Sequence, residues 1–129
     1  MNKESLVIKS ILNHCLDDWL ELTWFPQLIA EQFPAITPNE TLALSIKIIK
    51  KLLAEKLIEV GDLTGEKGRF KPWDMEPDDI LKKIKYRWIQ CEGPYDRKNG
   101  DGVCWLATTE LGDKLGEANR GHSGTTAPS

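Results

Sequence analysis

The stretch Thr37-Pro38-Asn39-Glu40 stands directly before a long amphipathic run. Thr37 can accept a hydrogen bond from the third amide of a helix, and Glu40 at that third position can reach back to the Thr37 amide, which together make a capping box. Pro38 falls at the first helical position, where a missing N–H costs nothing. The box predicts a helix from Pro38 to about Lys56, with Leu42, Ile46, Ile49, Leu53 and Leu57 on its core face and Leu52 at the edge.

Working back from the box, Ile8, Ile11, Leu12, Cys15 and Trp19 recur on one face of a first helix, expected from about Asn2 to Leu16. Asp17-Asp18 ends it, and Trp19-Leu20-Glu21-Leu22 alternates like a short strand. Thr23 offers an N-cap to a second, short helix whose buried stripe is Phe25, Leu28, Ile29 and Phe33. Pro26 is tolerated in its first turn, and Pro34 closes it.

Working forward, Leu57-Ile58-Glu59-Val60 leads into a strand ending near Thr64-Gly65, followed by the turn-like Glu66-Lys67-Gly68-Arg69. A fourth helix is expected from about Pro77 to Gln90, lined by Ile80, Leu81, Ile84 and Trp88. Its start is crowded by Asp74, Glu76, Asp78 and Asp79, the favourable end for negative charge. Gly93 to Gly102 reads as a polar loop, Val103 to Thr108 as a well-covered strand, and Thr109 as the cap of a last helix from Glu110 to about Ala118. Residues 1–118 therefore read as one domain, and the small polar run 119–129 as a disordered tail.

Composition narrows the function. A net charge of -3 gives no general attraction to nucleic acid or anionic membrane. The charge is uneven: residues 1–46 carry two Lys/Arg against six Asp/Glu, residues 47–87 eleven against eight, and residues 88–129 four against six. A mildly basic middle thus lies between acidic ends. No run approaches a membrane span, and the N-terminal stretch has helical patterning in place of the apolar core of a signal peptide. Cys15, Cys91 and Cys104 are an odd number without framework spacing, which points to a reducing cytoplasmic compartment.

Helix, short strand, two helices, strand, wing and strand is also the order of the winged helix-turn-helix superfamily. The chain resembles it locally at Trp19-Leu20-Glu21-Leu22-Thr23, at Leu52 to Val60, and at Trp105-Leu106-Ala107-Thr108-Thr109-Glu110-Leu111-Gly112. The resemblance covers about residues 2–118 and implies an α+β fold: three N-terminal helices, a small antiparallel sheet and a short closing helix. One departure is large. Thr64 to Gly102 replaces a simple wing hairpin with an insertion carrying its own helix.

In DNA-binding relatives the outward face of the third helix enters the major groove. Opposite the expected core stripe this chain places Glu40, Leu44, Lys47, Ile48, Lys51 and Glu55. Leu44 and Ile48 form an apolar pair where a groove reader would carry hydrogen-bonding side chains. Trp19, Trp88 and Trp105 lie on core stripes, whereas Trp24 and Trp73 fit none and read as interface anchors. Asp17, Asp18 and Glu21 are candidate steering charges. The surroundings of His14 and His122 do not suggest a catalytic triad, and the cysteines lack metal-ligand spacing, so neither an enzyme nor a cofactor site is expected.

The expectation is a non-enzymatic protein-binding module of the bacterial cytosol. Its most specific form is an immunity-type protein that neutralises a toxin by occlusion, with Leu44, Ile48, Trp24 and Trp73 as anchors. The rival is a winged-helix transcriptional regulator, in which Lys47, Lys50, Lys51, Lys67 and Arg69 would contact phosphates.

Overall fold

The computed structural model describes residues 2–64, 68–98 and 100–124, without the side chains of Asp17, Asp101 and residues 119–124. The chain is α+β: helices α1 (Lys3–Asp17), α2 (Phe25–Gln32) and α3 (Pro38–Ala54) come first, with β1 (Leu20–Glu21) and one 3₁₀ turn (Leu22–Trp24) between α1 and α2. Strand β2 (Ile58–Thr64) follows, then an insertion of β3 (Arg69–Pro72), α4 (Pro77–Cys91), β4 (Tyr95–Asp96) and β5 (Asp101–Gly102). Strand β6 (Trp105–Thr108) and helix α5 (Glu110–Gly124) close the order.

Local chemistry explains most of the boundaries. The Asn2 side chain caps α1 by accepting from the Ser5 amide at 2.7 Å. The capping box of α3 is complete: Glu40 N–H donates to Thr37 Oγ1 at 3.2 Å, and Thr37 N–H donates to Glu40 Oε1 at 3.0 Å. That helix ends on Lys56 at φ 59°, with Leu57 N–H donating to the Leu52 carbonyl at 2.9 Å. Glu92 plays the same left-handed part after α4, at φ 55°.

Thr23 does not cap α2. It lies in the 3₁₀ turn, where its hydroxyl donates to Glu21 at 2.5 Å, and α2 starts at Phe25 without a side-chain cap. Thr109 does cap α5, accepting from the Gly112 amide at 3.0 Å. Helix α5 runs to Gly124, past the end expected at Ala118; residues 125–129 lie outside the described residues. Gly112 is required there, because a Cβ would stand 2.0 Å from the Leu57 carbonyl oxygen.

The main sheet is antiparallel, in the order β1-β6-β2-β3, so the last strand lies between the first and the second. Leu20, Leu106 and Val60 stand in one row across three strands, and all three are buried. They join α1 (Val7, Ile11, Leu12), α2 (Phe25, Ile29), α3 (Ile48, Ile49, Leu52) and α4 (Ile80, Ile84, Trp88) in one contiguous apolar core. The inserted helix α4 packs along α3, so the insertion belongs to the body of the protein. Strand β4 pairs with β5 as a separate short hairpin beside α4.

Two tryptophan assignments change in the structure. Trp19 is 40% exposed, because α1 ends at Asp17 and carries it past the core; its ring stacks on Phe70 of β3 at 6.1 Å. Trp73 is half-buried and committed within the molecule: its indole N–H donates to Asp62 at 2.8 Å, and Lys83 Nζ lies 4.0 Å above its ring.

Candidate functional site

Helix α3 presents Asn39, Glu40, Ala43, Lys47, Lys50, Lys51 and Ala54 to solvent and buries Thr41, Ser45, Ile48, Ile49 and Leu52. The solvent face is therefore turned by roughly 70° from the expected one, at 100° per residue. The cause is that the helix is flanked on two sides. Glu4 of α1 reaches Lys47 at 3.0 Å on one side, and α4 packs along the other. Ile48 is consequently a core residue, 0% exposed, and is no anchor. The expected apolar pair on the outward face does not exist as a pair.

Leu44 keeps a different role. It is half-buried on the wall of an open groove of about 750 Å³ between the first turn of α1, the α2–α3 turn and the N-terminal half of α3. The groove has an apolar floor of Phe33, Pro34, Ala35, Ile36, Ala43 and Leu44. Lys3, Glu4, Glu40 and Lys47 form its rim. Glu4 is engaged by Lys47, and Glu40 by the Thr37 amide of its own cap. That amide, and then the Thr37 hydroxyl, hold the Glu40 carboxyl below its ordinary range. Lys3 Nζ stands 5.7 Å from the centre of the Phe33 ring.

The remaining candidates do not gather at this groove. Trp24 is 46% exposed, with its ring 6.3 Å from that of His14, towards the far end of α1. His14 is held by the Ser10 carbonyl at 2.8 Å. Asp18 caps the end of α1 and accepts from the Trp19 amide at 2.7 Å, while Glu21 is half-buried in β1. Asp17 ends α1, and its side chain lies outside the described ones. Lys50 and Lys51 are exposed on α3, and Arg69 is exposed at the start of β3; Lys67 lies outside the described residues.

The groove residues that sequence reasoning missed are Phe33, Ala35, Ile36 and Ala43. Phe33 reads as core in a helical pattern, and only the turn between α2 and α3 brings it to a surface. The usable signal was Phe33-Pro34-Ala35-Ile36, an apolar run in a turn where polar residues are usual.

Among the described residues no group of three or more His, Cys, Asp or Glu side chains could hold a metal ion. Cys15 and Cys104 are buried free thiols, and Cys91 is a half-buried one. No helix among the described residues is long and apolar enough to cross a membrane. Compared with family models, curated proteins and solved structures, the chain matches none.

Proposed function

We propose that this chain is a non-enzymatic protein-binding module of the bacterial cytosol that docks its partner over the groove walled by Leu44. One observation carries the reading. An apolar floor of six residues lies open to solvent, while both carboxylates on its rim are already engaged inside the molecule. Large apolar concavities rimmed by polar groups mark interaction sites. The three free cysteines suit a reducing compartment.

In its most specific form the reading is an immunity-type protein, which neutralises a toxin by covering a face the toxin needs. Occlusion of that kind buries about 800 Å² on each partner. The placement of β6 between β1 and β2, after three helices, supports kinship with the winged helix-turn-helix superfamily, its wing replaced by the β3–α4–β4–β5 insertion.

That kinship and the exposed Lys47, Lys50 and Lys51 favour a second reading, a DNA-binding regulator. Two measurements separate the readings. The wild-type chain, immobilised in an extract of the cells that make it, retains a stoichiometric protein partner that Leu44→Glu does not retain. A gel shift on arbitrary duplex shows no binding at low salt. Duplex binding that Lys47→Glu with Lys51→Glu abolishes, and that Leu44→Glu leaves intact, would replace the first reading by the second.

A further inference from the structure

The Leu44 groove is one half of a longer seam. A second recess of about 210 Å³ lies further along the same two helices, lined by Ile8, Leu12, Leu57 and Leu115 with Lys51 and Glu55 beside them. The first groove uses residues 3 and 4 of α1 and residues 40–47 of α3; the second uses residues 5–12 and 51–55. Residue numbers rise together on both helices, so α1 and α3 run side by side in the same direction. Glu4 and Lys47, joined as an ion pair, are the residues of the first groove nearest in sequence to those of the second recess. From Leu44 to Glu55 the seam extends about 16 Å, at 1.5 Å per residue.

Charge along the seam selects the partner. Lys3, Lys9, Lys47 and Lys51 border it, against Glu4, Glu40 and Glu55. Two of the three carboxylates are engaged, Glu4 by Lys47 and Glu40 by Thr37. Each ammonium keeps donors free, since a lysine has three and Lys47 gives one to Glu4. Both helices also begin at the Leu44 end, so their positive dipole ends lie together there. The expected steering charges Asp18 and Glu21 are remote, near β1.

We infer that the seam takes an acidic amphipathic peptide segment of the partner. Its apolar side chains fill the two recesses, and its carboxylates meet Lys3, Lys47 and Lys51. This inference rests on the protein-docking reading and names the class of segment that docks.

The test is a library of random 16-residue peptides displayed on phage, selected on the immobilised full chain with counter-selection on Leu44→Ser. Enriched peptides are expected to carry more Asp and Glu than Lys and Arg, interleaved with apolar residues. A labelled synthetic winner, followed by fluorescence anisotropy, should bind at least tenfold more weakly to Leu44→Ser and to Lys47→Glu with Lys51→Glu. Lys85→Glu, exposed on α4, should change affinity less than twofold. If circular dichroism shows Leu44→Ser unfolded, Ala43→Glu, at an exposed position of the groove floor, takes its place.

Basic winners that still depend on Leu44 or Ala43 overturn the acidic assignment and leave the docking reading standing. Winners indifferent to both residues, or no enrichment over the counter-selected variant, overturn the seam as a docking site altogether.

Discussion

The indole N–H of Trp73 donates a 2.8 Å hydrogen bond to the Asp62 carboxylate, and Arg87 approaches the same carboxylate at 3.7 Å. Arg87 also lies 3.8 Å from Asp96 in β4. Asp62 of β2 thus ties the residue after β3 to the inserted helix, and Arg87 carries the link on to the small hairpin. Asp62→Ala leaves a half-buried indole N–H without its partner and a guanidinium with one carboxylate fewer. It is expected to cost about 1–3 kcal/mol of folding stability in urea unfolding. In a double-mutant cycle with Trp73→Phe the two losses should not add. Strict additivity would deny that the hydrogen bond matters.

Ile48 and Leu44 sit one helical turn apart and should behave very differently. Ile48→Ala opens a void in a fully buried site and is expected to destabilise by about 2–5 kcal/mol. Leu44→Ala, on the groove wall, should cost about 1 kcal/mol or less, in line with the shallow loss expected of partly exposed positions. Thermal melts followed by circular dichroism give the ranking. Equal losses would contradict the rotated face of α3.

Ser45 is fully buried on α3, and its hydroxyl has no hydrogen-bond partner among the described residues. Removing an unsatisfied buried hydroxyl removes its desolvation cost. Ser45→Ala should raise stability by about 1 kcal/mol, read as a higher urea midpoint. A clear drop would reveal a partner for that oxygen.

The α3 cap predicts an acid response. Thr37→Ala removes the side-chain acceptor and should cost about 1 kcal/mol. Glu40 has its carboxyl lowered in the fold by the Thr37 amide and hydroxyl. The unfolded chain therefore takes up this proton at higher pH than the native chain does. The stabilisation is present above the ordinary carboxylate value of 4.5 and is lost as pH falls through the native value. Urea midpoints between neutral pH and pH 3 should fall less steeply for Glu40→Gln than for wild type.

The thiols predict an alkaline response of opposite sign. Burial, aided by the Asp113 charge, pushes Cys15 from its ordinary 9.0 to about 12, and complete burial pushes Cys104 up as well. The unfolded chain loses these protons first, so stability holds below about pH 9 and declines as pH rises towards 12. Cys15→Ala with Cys104→Ala should flatten that decline. In the native protein iodoacetamide at pH 8 should modify Cys91 first, with the other two reacting only on unfolding. Rapid labelling of Cys104 would be inconsistent with its burial.

What the sequence made legible was local. The Thr37–Glu40 cap, the Thr109 cap and the apolar stripe of α4 depend on near neighbours in the chain, and each appears where the residues place it. The phase of α3 was not legible, because neighbours distant in sequence decide it: Glu4 on one flank and α4 on the other. Trp19 was misplaced for a related reason. It continues the stripe of α1 in register, but the helix stops before reaching it. Of the groove, the sequence singled out Leu44 only as half of an outward pair with Ile48 and Lys47 only as a phosphate contact, while Phe33 and Ile36 were hidden in a turn whose path only the fold supplies.

The outermost strands of the main sheet carry a final implication. On one margin β1 is two residues long; on the other β3 bears Arg69 and Lys71 and stops at Pro72, which has no amide proton to give. Short, cationic, proline-terminated borders resist templated backbone pairing. Recruitment of a foreign strand, or stacking of copies into fibres, is thereby discouraged at both margins of the main sheet.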